Sequence, residues 1–126
     1  VGDSRAYLVR DGVMRQLTED HTLVNDMIRS GMISPEEALK HPDRHMITRA
    51  IGGEPTIEPD FYRFKTYPGD LIIMCTDGLY AEVGADKMLQ MAMETKAMHR
   101  LARNLVDEAN YAGGKDNISV VCIKIQ

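Results

Sequence analysis

Three aspartates far apart along the chain share one placement rule. Asp3 stands at the head of a strand-like run, Asp77 ends another, and Asp116 begins a third. An ionised carboxylate at the edge of a core is costly unless it is solvated, hydrogen-bonded or paired with a cation. Each acid has small or flexible neighbours: Gly2 and Ser4, Thr76 and Gly78, and Gly113-Gly114 before Asp116. Such flanks let the backbone approach an ion and its waters closely. If the strands at 71–75 and 118–125 run antiparallel, the end of one lies beside the start of the other. The carboxylates of Asp77 and Asp116 then meet at the same rim of the sheet. Like charges so placed repel, and a hard divalent cation with oxygen ligands, its shell completed by water, neutralises them. Taken alone, Asp77-Gly78 also reads as a simple turn.

Other chemistries fit less well. Gly113-Gly114-Lys115 lacks the spacing and the Ser or Thr of a phosphate-binding P-loop. His41 and His45 are spaced as a helical zinc pair would be, but Pro42 and the absence of a Glu spoil it, and they read as loop residues. There is no Cys-x-x-Cys and no Gly-x-Ser-x-Gly elbow. A calcium loop of the Asp-x-Asp-x-Asp-Gly type with a terminal Glu is also missing.

The elements that must position the acids can be read in order. The apolar run Leu71-Ile72-Ile73-Met74-Cys75, bounded by Pro68-Gly69-Asp70 and Asp77-Gly78, reads as a strand buried on both faces. Ser4 to Arg10 and Val13 to Leu17 form a hairpin about Asp11-Gly12. Leu23, Val24, Met27 and Ile28 have helical spacing after an N-cap at Thr22, with Gly31 as the residue beyond the helix end. Ser34-Pro35-Glu36-Glu37 starts a second short helix. Residues 41–56 read as an irregular excursion with a short extended piece at Met46 to Ile51, and Ile57 to Tyr67 as a strand pairing with 71–75. A helical turn is expected near Leu79 to Val83 and a helix over Ala85 to Met93. A longer helix follows with Met98, Leu101, Ala102, Leu105, Val106 and Ala109 on one face. A last strand runs from Ile118 to Ile125. Strands and bunched helices in this order favour α+β with antiparallel pairing over a doubly wound parallel sheet.

At 126 residues the chain holds one domain at most, with 44% apolar and 27% charged residues, as in an ordinary globular chain. The net charge of −4 argues against nucleic acid or an anionic membrane as the main partner. No apolar run approaches membrane-spanning length and no signal-peptide pattern is present, so a cytoplasmic location is expected. Cys75 and Cys122 lie inside apolar runs and read as buried free thiols. The opening on Val1-Gly2-Asp3-Ser4-Arg5, without a methionine, reads as part of a longer protein.

Val1-Gly2-Asp3-Ser4-Arg5, Thr76-Asp77-Gly78 and Gly113-Gly114-Lys115-Asp116-Asn117 together resemble the C-terminal half of bacterial type 2C protein phosphatases, the metal-dependent PPM family. Leu17-Thr18-Glu19-Asp20-His21, His41-Pro42 and Ile47-Thr48-Arg49-Ala50-Ile51-Gly52 are similar to that family's pattern too. The resemblance runs the whole length in the right order. It implies that residues 1–126 are part of a four-layer α/β/β/α sandwich with antiparallel sheets. It implies hydrolysis of phosphoserine and phosphothreonine in proteins, with two or three Mn²⁺ or Mg²⁺ ions in the complete domain. A metal-bridging hydroxide would attack phosphorus directly, without a phosphoenzyme. By the same resemblance Asp77 and Asp116 are metal ligands, with the backbone of Gly78 and Asn117 adjacent, and Asp3 joins Asp77 at a further metal. Residues 22–53 resemble the flap beside the active site. The implied partners are phosphorylated protein substrates and a cognate serine/threonine kinase.

The family's Asp-Gly-x-Gly-Gly motif, its Glu-Asp pair and its phosphate-binding arginine belong to an N-terminal half that this sequence does not contain. Asp11-Gly12 is no substitute, since Val13-Met14 follows and the hairpin needs that turn. The expectation is therefore a chain that binds metal weakly, lacks phosphatase activity alone, and self-associates through exposed sheet edges and apolar faces. The competing expectation is a non-catalytic, pseudophosphatase-type interaction module that keeps the fold without the chemistry.

Overall fold

The computed structural model describes residues 1–126 and divides them into two compact units. One consists of Val1–Asp3 and Glu19–Phe61, the other of Ser4–Thr18 and Tyr62–Gln126.

The second unit contains every strand. β1 (Arg5–Arg10), β2 (Val13–Gln16), β3 (Leu71–Cys75) and β4 (Val120–Lys124) form one antiparallel sheet in the order β2-β1-β3-β4. The β1–β2 hairpin closes where expected, with positive φ at both Asp11 and Gly12, the twist that a two-residue hairpin loop requires. β3 lies between β1 and β4, with Tyr7 and Cys122 on either side of Ile73. After β3 come α3 (Asp77–Tyr80), α4 (Ala85–Glu94) and α5 (Met98–Tyr111).

Tyr7, Val9, Leu71, Ile73 and Cys75 project from one face of the sheet into a core shared with Leu79, Val83, Met88, Leu101, Leu105 and Ala109. The i, i+4, i+8 spacing of Leu101, Leu105 and Ala109 puts all three on the inner side of α5, where none is exposed. Packing of this kind supplies about 1.5–3 kcal/mol for each large aliphatic side chain fully buried.

Two expectations need correction here. β3 is not buried on both faces: its side chains alternate, and Met74 is 40% exposed on the side away from the helices, beside Val121 at 50% and Ile123 at 38%. An apolar run marks a strand, but only a second covering layer would bury both faces. Nor is 57–67 a strand paired with β3. Both edges of β3 are already taken by β1 and β4, and 57–67 has no regular structure. Smaller shifts occur at element ends, with α3 starting at Asp77 rather than near Leu79 and β4 at Val120 rather than Ile118.

The first unit carries α1 (Leu23–Arg29) and α2 (Pro35–Ala38). The Thr22 hydroxyl caps α1 by accepting from the Asn25 amide, and Gly31 continues beyond the helix end with φ +77°. Ser34 and Glu37 make a reciprocal capping box on α2. An antiparallel bridge between Thr22 and Ile47 closes this helical excursion.

Candidate metal centre

The rim of the sheet where β3 ends and β4 begins is built by pairing. Cys75 faces Val120, and beyond that pair the Thr76 amide donates to the Ser119 carbonyl at 3.1 Å. The Thr76 hydroxyl accepts from the Ser119 amide at 3.0 Å and lies 3.4 Å from the Asn117 carbonyl oxygen as its donor. These bonds extend the register one step past the strands and bring Thr76-Asp77-Gly78 against Asp116-Asn117. Gly78 is the point of closest approach. A Cβ built on it would overlap the Asn117 carbonyl oxygen and come within 2.9 Å of the Asn117 carbonyl carbon.

Asp77 opens α3 and is half-buried; Asp116 is exposed. One Asp116 oxygen accepts from the Asn117 amide at 2.7 Å, which fixes the carboxylate on its loop. Asp3 lies in the other unit, half-buried. No three carboxylate, imidazole or thiol groups converge as a complete metal site. The donor set nevertheless suits a hard divalent cation, which takes carboxylate and carbonyl oxygens and keeps several waters. Asp77 and Asp116 offer carboxylate oxygens on two touching loops.

Arg5 was not singled out as a site residue by its sequence context. It stands opposite Cys75, its guanidinium lies 3.7 Å from the centre of the Tyr80 ring, and it donates to the Tyr7 hydroxyl at 3.1 Å. Cys75 and Cys122 are unbridged, as expected, and burial pushes each thiol up to about 11.

One antiparallel sheet is backed by helices on one face, with acidic loops at its rim, an α+β layer. No protein-family model matches the chain. It is 39% identical to the serine/threonine phosphatase stp of Listeria innocua over 98% of its own length and 49% of that protein. It superposes on the Mycobacterium tuberculosis serine/threonine phosphatase PstP/Ppp with a TM-score of 0.92 and 37% identity, covering 100% of this chain and 53% of that one. A second structure, the catalytic domain of the phosphatase PstP in complex with 2 manganese ions, matches with a TM-score of 0.83 and 33% identity over 100% of this chain and 52% of that one. The relatives are bacterial serine/threonine phosphatases, and this chain fits the C-terminal half of a type 2C, or PPM, domain. It spans about half the length of the curated relatives it matches.

Proposed function

We propose that the chain is the part of a protein serine/threonine phosphatase that holds one side of its metal centre. The reading rests on the approach of Asp77-Gly78 to Asp116-Asn117 in a chain whose relatives are serine/threonine phosphatases. Asp77 and Asp116 are the proposed ligands, with Asp3 as a third, and the backbone at Gly78 and Asn117 lies adjacent. Mn²⁺ or Mg²⁺ is the proposed cofactor, and the manganese in the PstP relative supports the first. When bound, such ions activate water for attack on phosphorus and neutralise charge on the phosphoryl oxygens. The chain's own contribution is placement. The Thr76–Ser119 bonds hold the two acidic loops in register, and Gly78 keeps side-chain bulk out of the gap.

The substrates are phosphorylated proteins, and a serine/threonine kinase that makes them is the natural partner. Residues 22–53 serve as a flap that shapes substrate choice. The apolar side chains left exposed on β3 and β4 favour self-association of the isolated chain, read as dimer or larger in sedimentation.

Activity tests this reading. A full-length protein containing this chain hydrolyses phosphothreonine peptides with Mn²⁺, and Asp77→Asn or Asp116→Asn lowers turnover more than 100-fold. The chain alone turns over no chromogenic phosphate ester, because two of its acids make only part of a dinuclear site. Unchanged turnover in both substituted proteins would overturn the assignment.

A further inference from the structure

Residues 50–59, all exposed and without helix or strand, form a loop in the first unit that walls one side of a cavity of about 400 Å³. Ile47, Thr48 and Arg49 complete the lining. Asp60 stands at the end of this loop and ties it down at two points. Its Oδ2 lies 2.7 Å from His21 Nε2, and its Oδ1 accepts from Arg49 Nη1 at 2.8 Å. The same Arg49 nitrogen also donates to the Glu58 carbonyl at 2.9 Å. Arg49 begins the loop and Asp60 ends it, so the pair closes it as a ring.

His21 is the fixed post. It is buried, its amide donates to the Gly2 carbonyl at 2.9 Å, and its carbonyl accepts from the Thr48 amide at 2.8 Å. Its side chain has an unusual balance, because Nδ1 is buried with no hydrogen-bond partner. Closing the loop therefore gains a charge-assisted bond at Nε2 and leaves the other ring nitrogen unsatisfied. Opening reverses both terms, since water can then reach the imidazole. Opening thus trades one term against the other, as in segments that open locally while the rest of a fold stays intact.

We propose that Asp60 is the latch of a strap, residues 50–59, which swings open as a unit when Asp60 releases His21 and Arg49. The anionic Asp60 favours the closed state: the His21 hydrogen bond first, then that of Arg49, hold its carboxyl at about 2.

Cleavage by thermolysin, which cuts on the amino side of bulky apolar residues, reads strap opening directly, because Ile51 and Ile57 lie within the strap and a protease needs a locally unfolded stretch. In the full chain, Asp60→Asn should raise cleavage before Ile51 and Ile57 at least tenfold, with cleavage before Ile73, Leu101 and Leu105 unchanged. Arg49→Gln, which leaves the His21 contact in place, should give a smaller rise of about threefold, and Arg49→Lys should return it close to the parent rate. Two results would overturn the latch: strap cleavage within twofold of the parent in both Asp60→Asn and Arg49→Gln, or an equal rise at all five sites, which is global loosening. None of these outcomes depends on phosphatase activity.

Discussion

The α-carbon of Gly78 rests on the carbonyl group of Asn117, with no room between them for a methyl group. This contact joins the loop after β3 to the loop before β4 and puts Asp77 and Asp116 on adjoining backbone. It also explains why glycine follows the aspartate when α3 could accept other residues at its second position.

Gly78→Ala is therefore expected to cost about 1–3 kcal/mol, the usual range for overpacking a closed site. A urea midpoint measured on the chain checks this. Gly84→Ala is the control, since nothing lies within 4 Å of a Cβ built there. Equal midpoints for the two substitutions would mean that the gap at Gly78 is not tight.

Acid should loosen both units through two carboxylates. Arg10 grips Asp70 with two hydrogen bonds of 2.8 and 2.7 Å, and the Tyr67 amide adds a third at 2.8 Å. The Arg10 bonds are the main cause that brings Asp70 from the ordinary 3.8 to about 2, against desolvation by burial. Asp60 is held equally low, by His21 first and Arg49 second. Folded values below the unfolded one mean that the stabilisation is complete above about pH 4 and disappears as pH falls towards 2. Unfolding curves recorded from pH 5 to pH 2 should steepen in this window for the parent and flatten for Asp70→Asn. Identical profiles would remove Asp70 from the account.

The two thiols should be silent in the folded chain. Burial is the first cause of the upward shift at both Cys75 and Cys122, to about 11 each, so little thiolate exists at pH 8. A colorimetric disulfide reagent at that pH is expected to react more than tenfold faster after denaturation. Rapid reaction of both thiols without denaturant would show that the sheet face carrying them is open.

Much of this molecule is written locally. Thr22, Ser34 with Glu37, and Asp11-Gly12 each declare a cap or a turn within a few residues, and the structure has all three. The periodic apolar positions of α5 and the antiparallel pairing of the strands around 71–75 and 118–125 were legible for the same reason. The failures are non-local. Ile57, Phe61, Tyr62 and Phe64 have strand-like character, but a strand needs a free edge, and β1 and β4 leave none on β3. The exposure of Met74 depends on which faces are covered, which no run of five residues encodes. Arg10–Asp70 and His21–Asp60 join residues 60 and 39 positions apart, so nothing in either neighbourhood announces them. At the candidate site, the aspartates stand out because Asp3 and Asp77 sit beside glycine and Asp116 follows Gly113-Gly114-Lys115, each near the end of a strand. Arg5 looks like any strand residue until Tyr80 is placed beneath it.

The central claim is that Asp77 and Asp116 share a divalent cation. Paramagnetic broadening of amide NMR signals by substoichiometric Mn²⁺ tests it most directly, because a weakly bound ion still marks its neighbours. Broadening is expected to appear first at residues 76–79 and 115–118 and to disappear in Asp77→Asn and in Asp116→Asn. Broadening that spares both loops, or that survives both substitutions, would contradict a metal centre at this rim.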